Sequence, residues 1–442
     1  MSRHNIAVFN LNETRRDPRV LRISHALREQ GHDVRVYEMR TGDLAPEEVV
    51  EDIPVSRVPV PDTYTSAEMA EIGQICPAAA AIVEAACPLV MTHGGTDKLS
   101  LVLYRLVEKI GRLRARVVNG TEATERNLRL EIAAIRSIML INRELYRMSV
   151  EQRPTLVYCN DLDTLLAGFM LKTNLSIPLI YDAHEIYPEQ LATHMRSEIW
   201  HQFYSNLEKS LIGTSDGRLT VCDSLGTYFA EEYKAPGFVT IWNVPSKRHL
   251  PHPAILDRRN DRRKILYHGS YFAYRGLDEV IEAVPLVPDA DFVFRGIGRY
   301  GDDLKALSKK IGVEERVTFA DPVGVHELVP AASQCDIGLN PFINVCTNTQ
   351  YALPNKYFEY MMAGLAVASS DLIEMRRLTN RLNVGILFES LAPESIAECL
   401  NDFLARPEEI DACRARSYES AASEFNWEYE REKFLSFFSR FE

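Results

Sequence analysis

Ile265-Leu266-Tyr267-His268-Gly269-Ser270-Tyr271-Phe272-Ala273-Tyr274-Arg275-Gly276-Leu277 decides the architecture. The apolar run Ile265 to His268 reads as a buried strand that breaks at a glycine, crosses a loop and enters a helix at Leu277. Strand, glycine turn and helix are how a parallel α/β unit opens. Working forward, further strands are expected at Asp291 to Arg295, Val317 to Phe319, Ile337 to Asn340, Ala366 to Ser369 and Gly385 to Phe388. Working back, the same alternation gives Ile6 to Phe9, Val34 to Tyr37, Leu156 to Cys159, Leu179 to Tyr181, Leu219 to Val221 and Val239 to Ile241. Between the first two, Asp17, Pro18 and Gly31 punctuate a helix over Pro18 to Gln30 as N-cap, first residue and C-terminal stop. The chain is therefore expected to hold two Rossmann-like α/β domains in tandem, with a cleft between them. We expect the first at 1–245, with a helical excursion at about 65–150, the second at 246–420, and a closing helix in 421–442. Ligands of such sheets sit beyond the carboxyl ends of the strands.

Composition narrows the function. The chain has 442 residues, 46% of them hydrophobic and 25% charged, the mix of a globular protein with sizeable cores. Fifty basic against 62 acidic residues leave −12, which argues against general nucleic-acid binding. The most apolar stretch, Ala78 to Met91, is interrupted by Glu84 and Pro88, so no membrane-spanning helix is expected. The N-terminus runs directly into an apolar strand, so no signal peptide is expected. Eight scattered cysteines without a C-x-x-C pair read as buried thiols of a cytoplasmic protein.

Polar chemistry collects at the strand ends. The loop Asn10 to Arg16 joins a strand to a helix N-terminus and carries Asn12 and Arg15, either an anion site or a solvated loop. Arg19 and Arg22, one turn on, are expected to pair with local carboxylates. Asn160-Asp161-Leu162-Asp163 ends another strand and reads as a helix cap or a cleft site. Tyr181-Asp182-Ala183-His184-Glu185-Ile186-Tyr187 holds more titratable groups than a turn needs, which marks His184 and Glu185 as candidates. In the second half, Gly269 and Ser270 end the first strand, and Arg275-Gly276 opens the helix that follows. Glycine there lets backbone approach a phosphate and arginine supplies charge. Gly296-Ile297-Gly298 is a lone G-x-G, as consistent with a tight turn. In Leu353-Pro354-Asn355-Lys356-Tyr357-Phe358-Glu359-Tyr360-Met361-Met362-Ala363-Gly364, Glu359 shares a helix face with Asn355 and Lys356. A lysine at a helix start can hold a diphosphate, and a carboxylate one turn on can take ribose hydroxyls. A surface Lys–Glu pair is the alternative.

Taken in order, Asp17-Pro18-Arg19-Val20-Leu21-Arg22, Tyr181 to Glu189, His268 to Tyr271 with Arg275-Gly276-Leu277, and Leu353 to Val367 resemble the GT-B glycosyltransferases of retaining family 4, glycosyl transferases group 1. The resemblance runs from about residue 5 to 440, apart from 60–150. It implies a C-terminal domain that binds a nucleotide-sugar, UDP-sugar first and GDP-sugar next, and an N-terminal domain that presents a glycan, lipid-linked or small-molecule acceptor. It implies that Glu359 holds the ribose, Arg275 meets the diphosphate and His184 touches the transferring sugar; Lys356 joins the catalytic candidates only through its place at the helix start. It also implies that Trp427 to Phe438 crosses back to the first domain and that no metal or other cofactor is needed. Two departures stand out: Tyr351 occupies the place of a second glutamate, and the basic residue expected a few positions before Arg275 is absent. Lys356 is positioned to replace that charge. The competing readings are a nucleotide-sugar 2-epimerase of the same fold and a non-catalytic nucleotide-sugar-binding subunit.

One segment suggests a further partner. Between Lys98 and Val117, Leu99, Val102, Leu103, Leu106, Ile110, Leu113 and Val117 form one helical face, edged by Lys98, Arg105, Lys109, Arg112 and Arg116. From Asp97 to Val150 eleven basic residues face six acidic ones in a chain that is acidic as a whole. Such a face either lies on an anionic membrane or packs on the first sheet.

Overall fold

In the computed structural model, the described residues are 3–61, 65–91, 121–190, 198–258 and 260–442. The cationic face at 98–117 lies outside them. The chain forms two compact units, Met1–Thr240 with Leu435–Glu442, and Ile241–Phe434. The first unit ends at Thr240, before the Asn243-Val244-Pro245 break, and only the last eight residues of the chain rejoin it.

The first unit is built on an eight-stranded sheet of order β3-β4-β2-β1-β5-β6-β7-β8. Its strands are β1 (Asn5–Asn10), β2 (Asp33–Met39), β3 (Glu47–Val50), β4 (Ile53–Val58), β5 (Leu156–Asn160), β6 (Leu179–Ala183), β7 (Gly217–Thr220) and β8 (Phe238–Thr240). All pairings are parallel except β3 with β4. β1, β5 and β6 read as continuous apolar runs because both faces are covered, and Ile6, Val8, Leu156, Leu179 and Ile180 are wholly buried. The β3–β4 hairpin carries no sequence signal of its kind. Its two turn residues, Glu51 and Asp52, take φ of +45° and +66° without a glycine. The turn is therefore closed by residues that do not announce it.

The Pro18–Glu29 helix starts as the sequence implies: the Asp17 carboxylate accepts the N–H groups of Arg19 and Val20, and Gly31 follows at φ +89°. The excursion contributes helices Ser66–Ile75, Pro77–Ala86, Pro88–Met91 and Thr121–Val150. At the end of the chain, Phe437 and Phe441 approach Gly217 so closely that any side chain there would collide with both rings. His4 Nε2 lies 2.8 Å from the Phe441 carbonyl, which ties the last turn to β1.

The second unit carries a six-stranded parallel sheet of order β11-β10-β9-β12-β13-β14. The strands are β9 (Arg263–His268), β10 (Ala290–Arg295), β11 (Val317–Ala320), β12 (Ile337–Asn340), β13 (Ala366–Ser370) and β14 (Gly385–Phe388). Its core joins Ile265, Tyr267, Phe292, Phe294, Ile337 and Leu339 with Leu277, Ile281, Leu400 and Phe403 from the covering helices. In both sheets the strand order reverses beside the first strand, between β1 and β5 and between β9 and β12. These reversals are where an open α/β sheet leaves a crevice.

Candidate functional site

In the first unit, the carboxyl ends of β5 and β6 gather a closed ionic cluster. Asp182, fully buried, takes both Nε and Nη2 of Arg19 at 2.7 Å and the Tyr158 hydroxyl at 2.5 Å. Arg19 thus reaches across the sheet to a residue far away in sequence, and the expectation of a local carboxylate partner for it is corrected. The helix start fixed by Asp17 is what aims its side chain inward. Burial works against the Asp182 charge, but Arg19 and His184 outweigh it and hold the acid well below the usual carboxylate range.

His184 lies between two acids, with Nδ1 3.2 Å from Asp161 Oδ2 and Nε2 3.3 Å from Asp182 Oδ2. Burial opposes a charged ring, yet Asp161 and Asp182 together raise the imidazole well above its usual range. The two acids favour the protonated ring, so His184 is poorly suited to act as a base. Asp161 occupies the N-cap position of the Leu162–Leu175 helix at φ +58°, but its side chain does not cap. It accepts the His184 main-chain N–H at 2.9 Å instead, so the helix-cap alternative is wrong for this residue. Burial, with Asp161 and Glu185 nearby, pushes Asp163 well above the ordinary carboxyl range.

The remaining first-unit candidates are spoken for locally. The Asn12 N–H donates to Asn10 Oδ1 at 3.1 Å. Arg15 is paired with Glu48 of β3, and Arg16 Nε lies 3.3 Å from Glu13. Glu185 accepts Nε2 of Gln190 at 2.5 Å.

In the second unit, the ends of β9 and β12 and the Asn355–Met362 helix enclose a cavity of about 300 Å³. Seven of the sequence candidates line it: Gly269, Ser270, Arg275, Pro354, Asn355, Lys356 and Glu359. The helix begins at Asn355, so Pro354 is its N-cap and offers no side-chain acceptor to the first-turn N–H groups. Gly364 follows the helix at φ +71°, the stop expected of it.

Lys356 Nζ stands 3.8 Å above the centre of the Tyr267 ring, and the Arg275 guanidinium stands 4.5 Å from the centre of the Phe342 ring. Phe342, just past β12, is the shelf both cations share, since Lys356 Nζ is 5.6 Å from the same ring. Among the described residues neither cation has an ion-pair partner. Burial first, and Arg275 second, pull the Lys356 ammonium well below the usual lysine range, with Glu359 only partly opposing. The surface Lys–Glu pair is thereby excluded: Glu359 gives Oε2 to His268 Nε2 at 2.7 Å.

The glycines explain the cavity's walls. Gly269 has φ +132°, and a Cβ there would stand 3.0 Å from Lys356 Nζ. Gly296 does not line the cavity; a Cβ on it would strike the Gly269 carbonyl, so it is a close-packing glycine. Leu353 also faces elsewhere, packing with Phe342, Leu372 and Met375. The Gly269 N–H is taken by the Arg295 carbonyl at 2.9 Å and so is not open to a ligand. Sequence reading missed Phe342 and His268, whose signals were only an aromatic residue and a histidine at strand ends.

Two parallel-sheet units of this strand order are the GT-B class of fold. The comparisons agree with that class. Residues 262–406, inside the second unit, match the family described as Glycosyl transferases group 1, so that unit carries a domain of this group. No curated protein matches the chain. Among solved structures, sucrose-phosphate synthase from Thermosynechococcus elongatus is 14% identical, covers 99% of both chains and has a TM-score of 0.72. A glycosyltransferase from Rickettsia africae is 10% identical over 100% of this chain and 99% of its own, with a TM-score of 0.65. HepE of Anabaena in complex with UDP is 13% identical over 99% of this chain and 100% of its own, with a TM-score of 0.64. HepE has also been solved with UDP-glucose.

Proposed function

We propose that the chain is a retaining glycosyltransferase of family 4 that moves a sugar from a nucleoside-diphosphate sugar, UDP-sugar first, to a glycan or lipid-linked hydroxyl. The observation that carries this reading is the second-unit cavity, where Lys356 and Arg275 stand beside the carboxylate of Glu359 with no ion-pair partner among the described residues. Taking two cations out of water without an anion is costly, and the aromatic rings beneath them offset only part of that cost. A diphosphate does so, and Glu359 supplies an acceptor for ribose hydroxyls. The UDP and UDP-glucose bound by HepE support the choice of base.

The chemistry follows from charge. The bond from the anomeric carbon to the diphosphate breaks, negative charge grows on the leaving oxygens, and Lys356 and Arg275 offset it. One such donor is worth about 3 kcal/mol. The acceptor hydroxyl attacks from the same face and passes its proton to the departing phosphate oxygen, so configuration is retained. In this reading His184, held between Asp161 and Asp182, contributes positive charge beside the transferring sugar and does not act as a base. Asn12, Arg15, Asp161 and Glu185 are the residues through which the first unit would meet the acceptor. The cations on the chain carry the leaving group's charge, with no call on a metal.

A panel of UDP, GDP, ADP, TDP and CMP in thermal unfolding tests the donor site. At about 100 times its dissociation constant the right nucleotide adds about 2.7 kcal/mol of stability. UDP should give the largest shift; no shift with any nucleotide would end the reading. No helix among the described residues is long and apolar enough to cross a membrane. A lipid-linked acceptor would instead be reached from the cytoplasmic surface through the cationic face at 98–117. That contact requires sedimentation with anionic vesicles that is lost on changing Arg105, Lys109 and Arg112 to Glu.

A further inference from the structure

His268 is the last residue of β9 and only 2% exposed. Three contacts fix it against consecutive residues of one helix. Its main-chain N–H donates to the Tyr360 hydroxyl at 3.0 Å, and that hydroxyl donates to the Leu339 carbonyl at 3.2 Å. Its ring lies 4.7 Å from the Tyr360 ring, centre to centre. Its Nε2 lies 2.7 Å from Glu359 Oε2. The other ring nitrogen, Nδ1, is buried with no hydrogen-bond partner among the described residues. A hydrogen on Nδ1 would therefore be a donor with nowhere to donate, whereas one on Nε2 meets a carboxylate. The network assigns the Nε2–H tautomer.

Glu359 reaches the cavity on a flexible arm, and ordering such a side chain during binding costs affinity. Among the described residues Oε1 has no partner, while Oε2 is already held. We propose that His268 is a positioning residue for nucleotide binding: its Nε2–H fixes Oε2 of Glu359 and so presents Oε1 to a ribose hydroxyl. This inference rests on the nucleotide-sugar reading of the cavity. It adds a residue that acts through Glu359 and whose effect is confined to the ribose.

The test is calorimetry on the full chain with UDP, 2′-deoxy-UDP and inorganic pyrophosphate. His268→Leu should weaken UDP about tenfold, or about 1.4 kcal/mol, while pyrophosphate binding changes less than twofold. The wild-type preference for UDP over 2′-deoxy-UDP should shrink in the same variant. His268→Gln keeps an amide N–H within reach of Glu359 and should restore UDP affinity to within about threefold. In transfer assays the loss should fall on KM more than on kcat. In a Glu359→Ala background, which does not depend on the buried histidine for its own effect, His268→Leu should cost nothing further. UDP affinity unchanged in His268→Leu, equal losses for UDP and pyrophosphate, or additive losses in the double variant would each overturn the proposal. Failure of the wild type to bind any nucleoside diphosphate would overturn the nucleotide reading, and this inference with it.

Discussion

The ends of β5 and β6 in the first unit and of β9 and β12 in the second use similar residues but settle their charges in opposite ways. In the first, the buried charges of Arg19, Asp182 and His184 are matched to one another and to Asp161. Arg19 is held twice by Asp182, and His184 sits between Asp161 and Asp182. In the second, Lys356 and Arg275 lean on aromatic rings and carry no acid. Matched charge deep in a fold holds geometry, since removing one partner strands the other. Unmatched charge at a cavity is a cost that only a ligand offsets. The first cluster is thus a rigid presentation of one histidine, and the second is an electrostatic vacancy for an anion.

Asp182→Asn should break the first cluster hardest. It takes from the buried Arg19 guanidinium its carboxylate and should lower stability by about 3–5 kcal/mol, read from urea unfolding of the first unit. A loss below 1 kcal/mol would mean that the ionic cluster holds little of that unit together. The matching change in the second unit should behave in the reverse sense. Lys356→Met removes a desolvated cation, so thermal stability should hold or rise, while turnover falls about 10²–10³-fold. A parallel fall in stability and rate would make Lys356 a structural residue. Glu359→Gln is milder still, since it keeps shape and loses one charge-assisted contact of about 1.5–3 kcal/mol in UDP affinity. If calorimetry shows UDP binding unchanged, Glu359 does not touch the ribose.

The legible and the illegible parts of this molecule differ in range. Strands such as Ile337–Asn340 and Leu156–Asn160 fall where the apolar runs lie, because a strand buried on both faces has no choice but to be apolar. The Pro18–Glu29 helix is marked by neighbours that act locally, Asp17 and Gly31. The Glu47–Val50 and Ile53–Val58 hairpin escaped because its turn uses Glu51 and Asp52 in left-handed conformations usually left to glycine or asparagine. The pairings that define the two sites span long stretches of chain: Arg19 with Asp182, and His268 with Glu359. Sequence reading marked three of those four as titratable residues and His268 only as the end of a strand. Which charge would be matched, and which left open, depends on sheet order, and no local pattern encodes that.

A further effect is expected from an acid in the first unit that, among the described residues, has neither a cation partner nor open solvent. Glu208 is fully buried and accepts the Tyr233 hydroxyl at 2.8 Å and the Tyr181 hydroxyl at 3.3 Å. Burial raises it from 4.5 to about 8, against the modest opposing pull of the two hydroxyls. The sign follows directly. Below pH 4.5 both folded and unfolded chains hold the proton, and the full stability is present. Between pH 4.5 and about 8 the unfolded chain releases the proton and the folded chain keeps it, so stability falls as pH rises. Glu208→Gln cannot ionise and still offers an acceptor to a tyrosine. Its Tm should match the wild type near pH 5 and exceed it by a few degrees near pH 8 to 9. Parallel Tm curves for the two proteins across that range would mean that Glu208 is ionised in the fold, and that even this acid has its charge matched by a partner, as Asp182 does.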